Sequence, residues 1–186
     1  TLLIECAEER PNDSRTARLL IREYVKYKEW ENVIKAAERY FKIDRNCLEV
    51  YDSITKRYMG RAYKNLKKYD ESRKCYQEAI ELGSKYRDPY LELAFLEKEL
   101  YNYDEAIRLI EQALSIKEKD LRIVPEPFSW SERPYKELSE LYKHKGNFQE
   151  AYKNILLAEE LNPNNKAIKN EKELIKNILM LNGELE

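Results

Sequence analysis

The chain has 186 residues, of which 37% are charged, yet its 34 lysines and arginines nearly balance its 35 aspartates and glutamates for a net charge of −1. This balance excludes a globally basic nucleic-acid binder. Only 4 glycines and 6 prolines are present, too few for a sandwich or barrel of many short strands, and 15 tyrosines argue against disorder. The composition therefore predicts amphipathic, heavily charged helices.

Cysteine usage and hydropathy predict a cytoplasmic protein without a membrane span. Cys6, Cys47 and Cys75 are odd in number and widely spaced, which indicates buried free thiols in a reducing compartment. No apolar run approaches the roughly 20 residues of a membrane span. Thr1–Ile4 runs straight into Glu5 without a signal-peptide pattern, and a chain that begins with Thr indicates a fragment or a processed product.

Four copies of one helix-pair pattern follow one another along the chain. The aromatic residues that mark their register are Trp30, Tyr69, Tyr103 and Phe148. These markers are 39, 34 and 45 residues apart, so the first and last separations exceed the middle one by 5 and 11 residues. Small residues recur where the two helices of a pair would cross closely, namely Gly60, Ala94 and Ser139.

In chain order, the pattern predicts a single helical domain over residues 1–186. Its predicted segments are a partial repeat helix at 2–10, repeats at 14–42, 52–84, 87–116 and 131–163, an ordered insertion loop at 117–130 and a capping helix at 166–182. Asn102 and Asn147 each stand three residues before a glutamate, which predicts a capping box at the start of two helices.

The marker aromatics and small residues resemble the tetratricopeptide repeat family over about residues 14–164, and the middle separation equals that family's period. The resemblance implies an all-α, right-handed superhelical solenoid of antiparallel helix pairs. It also implies a protein or peptide as the partner.

The insertion at residues 117–130 resembles a more specific group of repeat proteins. Residues 125–130 read Pro-Glu-Pro-Phe-Ser-Trp and are followed by Pro134-Tyr135, which is similar to the C-terminal repeat region of bacterial family 2 glycosyltransferases. That resemblance implies a region that binds an acceptor or partner protein or mediates self-association as a homodimer. A stand-alone adaptor that assembles a complex is the alternative. The aspartate-x-aspartate metal motif of those enzymes is absent from this chain.

The residues of this chain predict no catalytic centre, cofactor or metal. The glycines are isolated, so no glycine-rich phosphate loop exists. His144 is the one histidine, and its neighbours Lys143 and Lys145 indicate a solvated position rather than a Cys–His pair. We therefore expect a chain that is not itself an enzyme, whatever a parent protein does.

A stripe of cations marks the candidate binding site. In a tetratricopeptide solenoid the first helix of each pair lines a concave groove, and its groove-facing stripe follows the helical period. The basic residues assigned to it are Arg15, Arg18, Arg22, Lys26, Arg57, Arg61, Lys64, Lys98, Lys136 and Lys143, with Arg133 beside them. The other stripe positions include Asp88, Leu91, Phe95, Glu99 and Glu140.

The cations allow two interpretations. Arg18/Arg22 and Arg57/Arg61 are like charges at i, i+4, and an acidic peptide, a carboxylate terminus or an acidic face of another domain would relieve their repulsion. Alternatively, glutamates on neighbouring helices neutralise them. Arg22 and Arg61 stand where a chaperone-binding clamp would need asparagine, which argues against that role. Nucleic acid is disfavoured because no base-reading motif is present.

Overall fold

The computed structural model describes residues 2–43, 49–120 and 123–184; Cys47 and two residues of the predicted insertion loop lie outside these ranges. Within them the chain forms α-helices, one 3₁₀ turn at Pro127–Trp130 and no strand, so the all-α prediction is confirmed. The helices are α1 (Leu2–Glu9), α2 (Ser14–Lys26), α3 (Trp30–Lys42), α4 (Glu49–Asn65), α5 (Tyr69–Leu82), α6 (Arg87–Glu99), α7 (Tyr103–Ser115), α8 (Arg133–His144), α9 (Phe148–Leu161) and α10 (Lys166–Leu181).

Three-residue loops join the helices of each pair and reverse the chain between them. In each loop the backbone N–H of the third residue donates to a carbonyl five residues earlier, as in the Schellman motif. The middle residue has a positive φ of 60 to 74° in every case: Lys28, Lys67, Tyr101 and Gly146. Only one of the four is the glycine that this conformation favours.

The chain divides into two compact units, Thr1–Lys85 and Tyr86–Glu186. A single continuous domain over 1–186 therefore stays a prediction. The first unit is built around an apolar cluster from α2 to α5, whose largest member is the fully buried Tyr40. Tyr40 donates a 2.8 Å hydrogen bond to Asp52, so the ring is buried without losing a partner for its hydroxyl.

Helices α4 and α5 cross at close range because Gly60 has no side chain. The ring of buried Tyr76 lies against the Gly60 backbone, and a Cβ there would meet two ring carbons at 2.7 Å. The Ser72 hydroxyl donates to the Gly60 carbonyl at 2.8 Å and the Ser53 hydroxyl to the Ala79 carbonyl at 2.7 Å. Small side chains thus set this crossing, as the recurring small residues predict.

In the second unit, the described part of the insertion packs on the start of α6. The Arg87 guanidinium donates to the Ile116 carbonyl at 2.6 and 2.9 Å and to the Ser129 carbonyl at 3.3 Å, and it stacks 3.6 Å from the centre of the Trp130 ring. The Ser129 hydroxyl donates to Asp88. Arg87, Asp88 and Ser129 are all buried, so paired polar groups hold the segment in place.

One of the two predicted caps forms. The Asn147 side chain accepts a 3.1 Å hydrogen bond from the Glu150 backbone N–H at the start of α9. At α7 the prediction is wrong, because Asn102 makes no side-chain cap bond and instead donates to Glu97 at 2.7 Å.

Candidate functional site

The cations of α2 form the most open part of the predicted stripe. Arg15 and Arg22 are exposed, and neither forms an ion pair with any residue in the described part of the chain. Lys26 is exposed too, but it lies 3.3 Å from Glu23 on the same helix. Two arginine charges on α2 therefore face solvent.

Arg18 connects α2 to α4 by stacking on an aromatic ring. Its guanidinium carbon lies 3.6 Å from the centre of the Tyr51 ring. Its Nε is buried and has no hydrogen-bond partner among the described residues. The stacking fixes the orientation of the guanidinium while its outer nitrogens keep their capacity to donate.

Helix α4 carries the second row of cations. The guanidinium carbons of Arg57 and Arg61 lie 5.1 and 5.7 Å from the centre of the Tyr58 ring. Arg57 is only 4% exposed, whereas Arg61 and Lys64 are half-buried. Arg57 is therefore a buried charge at the base of this row. Because Arg57 is buried, the name "basic face" is given only to the exposed or half-buried cations Arg15, Arg18, Arg22, Arg61 and Lys64.

In the second unit, two predicted site residues are neutralised by neighbouring helices. Lys98 of α6 lies 2.6 Å from Glu137 and 2.7 Å from Glu140 of α8, and Lys143 of α8 pairs with Glu171 of α10. Burial alone would lower the pKa of Lys98, but its hydrogen bonds to the two carboxylates outweigh burial and raise that pKa. For these two lysines the second interpretation, neutralisation by glutamates, describes the structure.

The remaining stripe positions of the second unit range from buried to exposed, and Arg133 and Glu99 are the exposed ones. Asp88 and Leu91 are buried, so their assignment to a groove surface is wrong: Asp88 accepts from Ser129 under the insertion. The Arg133 guanidinium lies 4.6 Å from the Phe95 ring centre. Lys136 is half-buried and forms no ion pair within the described ranges.

Sequence reasoning missed the aromatic partners of the cations. Tyr51 and Tyr58 are seven residues apart and so share one face of α4 with Arg61. That spacing is a readable signal for arginine stacking. The contact between Arg87 and Trp130 had no such signal, because 43 positions separate the two residues and the insertion brings them together.

The described residues contain no cluster of three or more His, Cys, Asp or Glu side chains that could hold a metal ion. His144 is exposed and stacks on Tyr103 with ring centres 5.2 Å apart. Cys6 is exposed, so the prediction of a buried thiol is wrong there, whereas Cys75 is buried and burial raises its pKa to about 11.

None of the described helices is both long enough and apolar enough to cross a bilayer.

Comparisons with known proteins identify the repeats. Sequence profiles described as tetratricopeptide repeat match residues 55–86, 90–119 and 134–165, which together make up half of the chain. No curated protein matches the sequence.

Solved structures share the fold at low sequence identity. The crystal structure of MamA is 22% identical, with a TM-score of 0.70 over 87% of this chain and 85% of that one. YrrB, described as a tetratricopeptide repeat protein with an unusual peptide-binding site, is 13% identical, with a TM-score of 0.70 over 100% and 86%. A thermophilic tetratricopeptide repeat protein from Thermus thermophilus is 16% identical, with a TM-score of 0.60 over 94% and 87%.

Proposed function

We propose that this chain, a member of the tetratricopeptide repeat family, is a scaffold whose basic face binds an acidic segment of a partner protein. The repeats and the fold support protein–protein interaction as the general role. The basic face gives that role a chemistry, because it presents cations on two adjacent helices, α2 and α4. A carboxylate-rich peptide is the partner that complements such a surface.

The observation that carries the proposal is the state of Arg15, Arg18 and Arg22. Arg15 and Arg22 are exposed without an ion pair among the described residues, and Arg18 is held against Tyr51 with its Nε buried and unpartnered. A stacked guanidinium loses less conformational freedom on binding than a free one. This contrasts with Lys98 and Lys143, whose charges are already neutralised.

Charges of this kind determine partner choice and encounter rate more than total affinity. Exposed ion pairs contribute about 0.2–1 kcal/mol each, so two of them account for about 30-fold in affinity at most. Their attraction is screened over about 8 Å at physiological ionic strength. We therefore expect binding to weaken as salt is raised.

An unbiased selection tests the proposal without knowledge of the natural partner. The wild-type chain and the Arg15→Glu, Arg22→Glu double variant are each used to select binders from a random peptide library. Wild type is expected to enrich aspartate and glutamate, and the variant is expected to lose that enrichment. The matched control is Lys166→Glu with Lys169→Glu, which makes the same charge change at two positions of α10.

Equal acidic enrichment by wild type and the basic-face variant would refute the proposal. Arg57 is a poor choice for this test, because it is 4% exposed and its reversal would place a carboxylate in a buried position.

The insertion between α7 and α8 supports a more specific proposal about the parent protein. We propose that the chain is the non-catalytic repeat region of a bacterial family 2 glycosyltransferase, where it binds an acceptor protein or mediates self-association in the cytoplasm. The support for this proposal is the resemblance of residues 125–130 to the same segment of those enzymes. The contacts of Arg87 and Asp88 with Ser129 and Trp130 hold this segment in place. A stand-alone adaptor is the alternative. The full-length reading frame decides between them: a preceding sugar-transfer domain with an aspartate pair supports the first.

A further inference from the structure

A cavity in the first unit lies away from the basic face. It has a volume of about 220 Å³ and is lined by residues of α1, α2, α3 and the turn between α1 and α2. None of the basic-face residues lines it. Clefts that hold drug-sized ligands measure about 300–1,000 Å³, so this one has room for a small ligand or for the last residue of a peptide.

The polar lining of the cavity is positively charged. Arg10, Lys35 and Arg39 line it, and none of them forms an ion pair with any residue that the structure describes. Among the described lining residues, Asp13 is the one carboxylate. It already accepts from the backbone N–H groups of Arg15 and Thr16 and from the Thr16 hydroxyl, as the cap of α2.

Arg39 is fixed in place by the end of α1. Its Nη2 donates to the carbonyl of Ala7 at 2.7 Å and to that of Pro11 at 3.3 Å. Its Nη1 and Nε have no hydrogen-bond partner within the described ranges and keep their capacity to donate. A guanidinium held by two backbone carbonyls is a positioned donor rather than a freely moving one.

The rest of the lining is apolar. Ala17 and Leu20 are buried, and the half-buried Tyr24 and Ala36 complete this part of the wall. An inorganic anion would leave these side chains without a contact, whereas an apolar body would cover them.

We propose that the cavity binds a carboxylate group attached to a small apolar body. The carboxylate would accept charge-assisted hydrogen bonds from Arg39, Arg10 and Lys35, and the apolar body would lie against Ala17 and Leu20. A free organic acid and the C-terminus of a peptide both have this chemistry. The inference is independent of the basic face, because the two sites share no residue.

Calorimetry on the full chain tests the inference with five probes. These are 3-phenylpropionate, its amide 3-phenylpropanamide, a short peptide ending in leucine with either a free or an amidated C-terminus, and inorganic phosphate. Each carboxylate is expected to bind at least about tenfold more tightly than its amide. Arg10→Gln with Lys35→Gln is expected to reduce that preference, with Arg39 as the remaining donor. The matched control, Lys74→Gln with Lys85→Gln, removes two charges outside the cavity and should keep it.

The outcomes separate the two sources and the failures. Tighter binding of the peptide assigns the site to a protein C-terminus, and tighter binding of phenylpropionate assigns it to a small acid. Ala36→Leu, which narrows the cavity, should weaken whichever probe binds. Four results overturn the inference. They are no binding at millimolar concentration, equal binding of acid and amide, equal effects of the cavity and control variants, and binding of inorganic phosphate as tight as that of either acid.

Discussion

Replacing Gly60 with alanine tests whether the crossing of α4 and α5 depends on a missing side chain. The added methyl group would stand 2.7 Å from two carbons of the Tyr76 ring, whereas carbon atoms prefer a separation of about 3.5–4.0 Å. The ring must therefore retreat by about 0.8 Å. Tyr76 is 1% exposed, so it has no open space into which to move.

Two opposing effects determine the size of the change. Alanine in a helix interior is favoured over glycine by about 1 kcal/mol. Overpacking a closely packed site costs about 1–3 kcal/mol. The balance predicts that Gly60→Ala lowers the free energy of unfolding by about 1 kcal/mol. In a Tyr76→Leu background the clash is relieved, so the same change is expected to stabilise by about 1 kcal/mol.

Urea unfolding followed by circular dichroism measures the four free energies of this double-mutant cycle. The expected coupling between the two positions is about 1–3 kcal/mol. A Gly60→Ala variant that stabilises the chain equally in both backgrounds would refute the reasoning. Gly183→Ala is a comparison in which a Cβ meets no neighbouring atom, although its positive φ adds backbone strain.

The remaining predictions concern a loop, an ion pair and a thiol. Gly146→Ala should lower stability by about 1–2 kcal/mol, because its φ of 74° is unfavourable for a residue with a Cβ, and Gly146→Asn should cost less in the same urea assay. Lys98→Met should destabilise the second unit at pH 7, because it removes the cation that pairs with Glu137 and Glu140. Burial alone would raise the pKa of Glu140, but the contact with Lys98 lowers it. The stabilisation that this pair contributes is therefore present above the usual glutamate pKa and is lost as the pH falls below about 4. Wild type and the Lys98→Met variant should have the same stability below that pH. Alkylation at pH 8 followed by mass spectrometry should label the exposed Cys6 in the native chain. Cys75 should be labelled only after unfolding, because burial raises its pKa to about 11. Labelling of native Cys75 at the same rate as Cys6 would contradict the buried position of Cys75.

The helix pairs could be predicted from the sequence because their signals are local. Each marker aromatic is the first residue of a second helix: Trp30, Tyr69, Tyr103 and Phe148 begin α3, α5, α7 and α9. Gly60 marks a close crossing for the same reason, since a small residue at that register leaves room for a ring. The positive φ of Lys28, Lys67 and Tyr101 had no sequence signal. There the geometry of the short loop overrides the preference for glycine.

The candidate site was only partly predictable because charge state depends on tertiary neighbours. The helical period assigns Lys98 to the predicted groove-facing stripe of α6 just as it assigns Arg22 to that of α2, but the packing of α8 against α6 neutralises Lys98. Asp88 fits the stripe by spacing, yet the insertion covers it. Spacing along one helix cannot reveal what a segment some 40 residues away does to a side chain.

Fluorescence anisotropy with a short labelled peptide of glutamate, leucine and serine tests the central claim most directly. The wild-type chain is expected to bind it about tenfold more tightly than the Arg15→Glu, Arg22→Glu variant does, and more tightly than it binds the peptide with lysine in place of glutamate. The preference should fall as salt is added. Equal affinity of wild type and variant for the acidic peptide, with Lys166→Glu, Lys169→Glu as the charge control, would contradict the proposal that the basic face binds the partner.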